Sequence, residues 1–229
     1  MSADRRSPLV VTIDGPAASG KSSTAQMVAA QLGMRHLDSG MIYRSVTAAR
    51  LRRGDAPRGD APEHWTEPSV LDAAAGVSLA PGATSFSPQL DGVDCETEIR
   101  GAAVTGTVSL VAKMPRVRAW VNALVRATAA AHEIVVDGRD MGTAVFPDAR
   151  LKVWLVAIPE ERARRRILQR TGRAPTPAEL ETEAAELERR DQYDREQTQP
   201  AADAVWIDTT GITQEEQVGR IVGLARERR

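Results

Sequence analysis

The chain is poor in cysteine, in histidine and in aromatic residues. It holds one cysteine, Cys95, in 229 residues, so no intramolecular disulfide can form and no cysteine cluster can hold zinc. Three scattered histidines, His36, His64 and His132, do not make a cage of nitrogen ligands either. Eight aromatics (Trp 4, Tyr 2, Phe 2) are too few for a stacking surface that takes single-stranded nucleic acid. Net charge is almost absent: 30 basic residues against 31 acidic ones leave −1, which argues against a nucleic-acid or membrane-surface protein and leaves only local patches open. No apolar run approaches the roughly 18 to 20 residues that cross a bilayer. Met1 to Ser7 is short and polar with a five-residue apolar run behind it, which is not a signal-peptide core. A cytoplasmic protein is expected.

Lysine is scarce too. Lys21, Lys113 and Lys152 are the only three, beside 27 arginines; a general coding preference for Arg accounts for most of those positions. What is there otherwise is ordinary. The length allows one domain, or one domain with an insertion. A 42% hydrophobic and 27% charged composition is that of a soluble globular protein and excludes disorder throughout.

Along the chain, Leu9 to Ile13 is a short β-branched run that stops at Asp14-Gly15-Pro16, the pattern of a buried strand entering a turn. Lys21 to Leu32 has helical spacing with Gly33 as its stop. Ile134 to Asp137, Leu151 to Ala157 and Ala204 to Asp208 are further short apolar runs, and Arg35 to Asp38 is a fifth. Helical stretches at Val117 to Ala131, Glu160 to Arg170, Ala178 to Arg190 and Thr213 to Arg228 lie between or after them. Strands alternating with helices predict an α/β fold with a five-stranded parallel sheet covered on both faces. Residues 54 to 68, rich in Pro, Gly and Asp, and the short alternating runs of 76 to 100 break that rhythm, so roughly 55–100 is expected to be an inserted region with a small hairpin.

The strongest motif is Gly15-Pro16-Ala17-Ala18-Ser19-Gly20-Lys21-Ser22, a full G-x-x-x-x-G-K-[ST] between that strand and that helix. Glycines let the chain wrap a phosphate, so that backbone N–H groups and the helix N-terminus point at the anion. Lys21 is expected to reach the β- and γ-phosphates of ATP and Ser22 to ligate Mg²⁺, with Ser23 next in the loop. The plainer reading is a Gly-rich turn. No Asn-Lys-x-Asp guanine motif is present, since the one asparagine, Asn122, precedes Ala123. The apolar strand ending in Asp-Glu of an ATPase motor is missing as well. A small-molecule kinase fits the length better.

Three further groups carry chemistry. Asp137-Gly138-Arg139-Asp140-Met141-Gly142-Thr143 follows an apolar strand, and ligands of open α/β sheets bind outside the carboxyl ends of strands. Arg139 suits a bidentate phosphate contact and Asp140 can accept from an exocyclic amine; a turn whose charges pair with each other is the alternative. In Leu37-Asp38-Ser39-Gly40-Met41-Ile42-Tyr43-Arg44, Ser39 and a helix N-terminus could hold a phosphate with Arg44 a turn on, although an ordinary N-cap explains Ser39 equally well. Asp38 could order water around Mg²⁺. Arg162, Arg165, Arg166 and Arg170 share a helical face and Arg189, Arg190 and Arg195 follow a Gly/Pro turn, a supply of arginines for neutralising a transferring phosphoryl group. The competing reading is a solvated helix of Glu–Arg pairs, given Glu181, Glu183, Glu186 and Glu188.

These residues, together with Glu98-Ile99-Arg100, Val108-Ser109 to Pro115-Arg116-Val117-Arg118, Val145-Phe146-Pro147-Asp148-Ala149, Arg190-Asp191 and Ala202-Asp203-Ala204, resemble bacterial cytidylate kinases over nearly the whole chain. The Gly-Arg-Asp-Met-Gly-Thr segment is more specific than the phosphate loop. The resemblance implies an adenylate-kinase-like fold with a core (8–54, 101–159 and 198–229), an inserted monophosphate-binding region (55–100) and a lid (160–197). It implies reversible transfer of the ATP γ-phosphoryl group to CMP, and to dCMP, with Mg²⁺ on the donor phosphates. A monomer is expected, because the sequence shows no exposed apolar stripe. Ser39, Tyr43, Arg44 and Arg139 would hold the CMP phosphate and its surroundings. Ser109, Arg118 and Asp140 would read cytosine. Arg190 and Asp194 would contact ribose and phosphates, and Lys21, Arg139, Arg166 and Arg190 would form the catalytic set. The chain departs from the family where Gln197 stands in place of an arginine, with about four residues missing before Ala201, and at Val125-Arg126, where Gln-Arg is frequent. A kinase for UMP or AMP, or an ATP-binding regulatory protein without turnover, are the alternatives.

Overall fold

The computed structural model of the protein describes residues 8–53, 62–195 and 198–229. Gln197 and the start of the Pro/Gly/Asp-rich segment lie outside them. In chain order the first elements are β1 (Val10–Asp14), α1 (Lys21–Leu32), β2 (Arg35–Asp38), α2 (Ser39–Arg52) and α3 (Glu67–Ala74). Next come β3 (Val77–Pro81), β4 (Phe86–Leu90), β5 (Val93–Asp94), α4 (Glu96–Ile99), α5 (Ala102–Val111) and α6 (Pro115–Ala131). The chain continues through β6 (Ile134–Gly138), a π-helical turn (Met141–Val145), β7 (Leu151–Val156), α7 (Pro159–Thr171), α8 (Pro177–Asp194), β8 (Val205–Asp208) and α9 (Gln214–Glu227). It forms two compact units, one from the chain up to His36 and again from His132, the other from Leu37–Ala131.

The first unit is organised by a five-stranded sheet in the order β2-β6-β1-β7-β8. β1 pairs in parallel with β6 (Val10 opposite Ile134) and with β7 (Val11 opposite Leu151), and β7 with β8 (Val153 opposite Val205). A strand with parallel neighbours on both sides and helices above and below has no wet face, which is why Val10 to Ile13 is an unbroken apolar and β-branched run rather than an alternating one. Pairing carries β1 one residue past that run, because Asp14 stays in register with Gly138. On one face Val11 and Ile13 pack with Val28 and Ala29 of α1 and Val218, Ile221 and Val222 of α9. α1 stops at Gly33, whose φ is 67°. α9 starts at a capping box in which the Thr213 hydroxyl takes the Glu216 N–H while the Glu216 carboxylate takes the Thr213 N–H. α7 and α8 pack on each other beyond the sheet.

The second unit combines helices with a three-stranded antiparallel sheet, β3-β4-β5, formed by the alternating runs. Asp91 and Gly92 both have positive φ (51° and 79°), the two-residue turn that matches the twist of a hairpin between β4 and β5. Val117, Val121, Val125 and Ala129 recur every fourth residue on α6 and form its buried stripe. The Thr66 side chain caps α3, and the Glu67 carboxylate accepts the Arg116 N–H at 2.7 Å at the start of α6.

The Thr213→Ala variant removes one half of the α9 capping box. Its stability is expected to fall by about 1 kcal/mol, read as a lower urea midpoint with an unchanged slope.

Candidate active site

The phosphate loop runs from the end of β1 to the start of α1. At Gly15, φ is 152° and a Cβ would lie 2.2 Å from the Leu155 carbonyl oxygen, so the loop can leave the sheet at this point only through glycine. Ala18 sits in the left-handed region at φ 58° without being glycine, a conformation that costs about 1–2 kcal/mol. The Lys21 Nζ donates to the Pro16 carbonyl at 2.6 Å, folding the ammonium back over the loop. Ser19 is fully buried and its hydroxyl has no hydrogen-bond partner. Ser23 and Thr24 donate to the Gly20 carbonyl (3.1 and 2.7 Å), closing the first turn of α1.

Two acidic residues at the ends of neighbouring strands complete this region, and neither was expected among the site residues. The Ser22 hydroxyl donates to Asp137 Oδ2 at 2.5 Å, and the other oxygen of that carboxylate lies 2.6 Å from His36 Nε2. A hydroxyl beside a carboxylate at the mouth of a phosphate loop is a hard-oxygen donor set that suits Mg²⁺. Asp14 accepts the Met141 N–H with one oxygen (2.9 Å) and the Gly142 N–H with the other (2.8 Å). A Cβ on Gly142 would come within 2.9 Å of the Thr12 hydroxyl and 3.3 Å of Asp14 Oδ2, so this close docking needs a glycine too. Burial pushes the Asp14 carboxyl from 3.8 up to about 6, opposed by the two N–H bonds and the Lys21 charge and assisted by the negative charge of Asp140. Both acids end an apolar strand run, a signal that was legible; nothing in the local sequence marked His36.

The same docking shapes the Arg139-Asp140 segment. The Asp140 carbonyl accepts from the Ala144 and Val145 N–H groups (2.8 and 3.3 Å), beginning the π-helical turn, and the Asp140 side chain is buried. Turns of this kind gather at functional sites. Arg139 Nη2 lies 3.4 Å and Arg190 Nε 3.8 Å from the same Asp194 oxygen. Arg139 Nη1 and Arg190 Nε are buried and make no hydrogen bond. Burial pulls the Arg139 guanidinium below its ordinary range, with Asp194 opposing. A guanidinium cluster whose donors outnumber its acceptors is a site prepared for an anion.

The four α7 arginines expected as one face, of the five on this helix, divide by partner. Arg166 and Arg170 share the buried Glu183 carboxylate (3.2 and 3.1 Å). Arg165 holds Glu161 (2.8 Å) and the Thr209 hydroxyl (3.0 Å). Arg162 is buried rather than on the face expected for it: its Nε donates to the Ala157 carbonyl (3.1 Å) and its Nη1 to the Ala17 carbonyl (3.0 Å), and Nη1 lies 2.6 Å from Asp191 Oδ2. Its position at the base of α7, facing the phosphate loop, sets it apart from the other three.

In the second unit the helix cap is Asp38, whose Oδ1 accepts the Met41 N–H at 3.2 Å; Ser39 is the buried first residue of α2 rather than its cap. Arg44 Nη1 donates to the Ile99 carbonyl (3.3 Å) and the Thr105 hydroxyl (3.0 Å). Arg118 donates to the Ala112 carbonyl (3.1 Å), and its guanidinium lies 5.9 Å from the centre of the Tyr43 ring. Ser109 is half-buried on α5, one turn beyond Thr105.

A phosphate loop after the central strand of this sheet, with a half-buried arginine cluster in the same unit, defines a phosphate-loop α/β protein that binds nucleotides. The family model described as cytidylate kinase matches residues 11–227, and the chain belongs to that family. A cytidylate kinase of Thermus thermophilus is 42% identical over 219 residues, covering 95% of this chain and 98% of the relative. One from Chlorobaculum tepidum is 38% identical over 231 residues, covering 97% and 94%. The solved structure of an uncharacterised protein from Eubacterium ventriosum shares the fold, with TM-score 0.54 and 10% identity over 96% of this chain and 99% of that one.

The Asp14 carboxyl binds its proton more tightly in the folded protein (about 6) than in the unfolded chain (3.8). Its contribution to stability is therefore fully present below pH 3.8 and is lost as pH rises through about 6. Comparing denaturation midpoints of the native protein and Asp14→Asn from pH 4 to 7 is expected to show the native protein losing stability relative to the variant by about 2 kcal/mol. Parallel curves would refute the burial effect.

Proposed function

We propose that the protein transfers the γ-phosphoryl group of ATP to CMP and to dCMP, forming ADP and the cytidine diphosphate. The observation that carries this reading is the pair of buried guanidinium N–H groups of Arg139 and Arg190 that make no hydrogen bond, in the unit that also carries the phosphate loop. They supply charge and directed donors for an acceptor phosphate, since among the described residues Asp194 pairs with both guanidinium groups but takes a hydrogen bond from neither of these two atoms.

Catalysis in this reading is positioning and charge neutralisation. The backbone of Gly15, Pro16, Ala17, Ala18, Ser19, Gly20, Lys21, Ser22 and Ser23 wraps the donor phosphates. Lys21 exchanges the Pro16 carbonyl for a γ-phosphate oxygen, a small movement because the ammonium already lies over the loop. Among the described residues no group of three or more His, Cys, Asp or Glu side chains is arranged to hold a metal by itself. Ser22 and Asp137, with the nucleotide's own oxygens and water ordered by Asp38, would hold Mg²⁺. When bound, the ion neutralises charge on the β- and γ-phosphates. A phosphate monoester has its second pKa near ~6, so the CMP phosphate reaches the site largely dianionic and needs no strong general base. Arg139 and Arg190 orient that phosphate, with Asp194 between them fixing their planes. Ser39, Tyr43 and Arg44 assist at the monophosphate, Ser109, Arg118 and Asp140 read cytosine, and Arg166 joins the transferring group from the lid. Residues 55–100 act as the inserted monophosphate-binding region and 160–197 as the lid.

Turnover across CMP, dCMP, UMP and AMP tests the reading directly; CMP and dCMP are expected to lead, and a preference for AMP would overturn it. Lys21→Ala is expected to lower kcat by at least about 100-fold. Asp140→Ala is expected to erode the preference for CMP over UMP more than it slows the reaction, measured as the ratio of the two kcat/KM values.

A further inference from the structure

Arg162 stands apart from the other α7 arginines. It is buried at the base of the helix, and one guanidinium nitrogen reaches both the Ala17 carbonyl of the phosphate loop (3.0 Å) and the Asp191 carboxylate of α8 (2.6 Å). Its Nε is committed to the Ala157 carbonyl at the end of β7 (3.1 Å), so the fork cannot turn without breaking a bond to the sheet. The residue that follows the held carbonyl, Ala18, is the one non-glycine of the loop with a positive φ. Apolar packing follows the same route: Ala17 clusters with Ala163 of α7 and Ala184 and Leu187 of α8. The strained tip of the phosphate loop is thus held from outside, by a group that also holds the far end of the lid hairpin. The second Asp191 oxygen is buried and makes no hydrogen bond among the described residues, so Arg162 is this carboxylate's one described partner.

We infer that Arg162 is a positioning residue that couples the docking of α8 to the shape of the phosphate loop, so that ATP is bound well only when Asp191 is seated on it. The inference rests on the reading of the loop as an ATP site, but not on the identity of the acceptor. Asp191 touches the loop through Arg162, and its loss is felt by ATP only if the coupling exists. Lysine at 162 keeps the charge but cannot reach the two carbonyls and the carboxylate at once.

The test is calorimetric binding of a non-hydrolysable ATP analogue, without acceptor, to the full chain and to Asp191→Asn, Arg162→Lys and the double variant. Each single variant is expected to lose about tenfold in affinity, and the double variant no more than the worse single, since both cut the same link. Circular dichroism and unfolding temperature show that the proteins are folded; a purely structural role would lower the unfolding temperature and leave analogue affinity unchanged. In the native protein, saturation with the analogue is expected to slow amide exchange around Asp191 on α8, because coupling between two sites is reciprocal. Affinities within twofold of native in the folded single variants, or losses that multiply in the double, would overturn the inference; so would unchanged exchange on α8 if no variant folds. A protein that binds the analogue with these effects but phosphorylates no cytidine monophosphate would refute the proposed function and leave the coupling standing.

Discussion

One carboxylate fixes the arrangement of the first unit. Asp14 ends the central strand, the phosphate loop begins at the next residue, and its two oxygens hold the N–H groups of Met141 and Gly142, which directly follow Arg139 and Asp140. The start of the loop and the arginine proposed to meet the acceptor are therefore spaced by a single side chain rather than by two independently folded loops. The arrangement has a cost, because that carboxylate is buried where its charge is disfavoured. Glycine at 142 gives the approach room, since a Cβ there would crowd the Thr12 hydroxyl, and only glycine at 15 allows the chain to leave the strand beside β7.

The second constraint is the difference between a point charge and a fork. The lysine of the loop is a compact ammonium that can move from a carbonyl to a phosphate, while the arginines around it are planar groups already tied by one or two bonds. The scarcity of lysine and abundance of arginine take on a local meaning here, whatever their origin elsewhere in the chain. Arg162 is tied through both its Nε and its Nη1; Arg139 and Arg190 keep one buried donor each without a hydrogen bond among the described residues. Glu183, an acid on a helix that composition alone would assign to solvent, is buried between Arg166 and Arg170.

What could be read from the residues follows from the range of the forces involved. The loop, its flanking strand and helix, the Gly33 stop and the alternation of strands with helices are written in neighbouring residues, and the structure has them within a residue or two. Alternation likewise pointed to a small hairpin within 76–100, where the structure has a three-stranded antiparallel sheet with Asp91-Gly92 as one of its turns. The bonds that assemble the site join residues far apart in sequence: Asp14 with Met141, Ser22 with Asp137, His36 with Asp137, Arg162 with Asp191. Hydrophobic spacing carries no information about those, since it says which face is buried but not which strand lies next to which. The proposed base-reading roles of Ser109 and Arg118 had no local signal and rested on family resemblance, whereas Asp140 was marked by its place in the loop after an apolar strand.

The polar atoms left without partners at this site also bear on how the protein persists. Arg139 Nη1, Arg190 Nε, Ser19 Oγ and Asp191 Oδ1 are all removed from water and make no hydrogen bond among the described residues. Each such group raises the free energy of the folded state, and a bound phosphate could relieve the donors among them. Nucleotide is then a component of the fold as well as its substrate. The protein's resistance to unfolding and proteolysis should follow the concentration of its substrates, so that a chain starved of nucleotide is also the one soonest degraded.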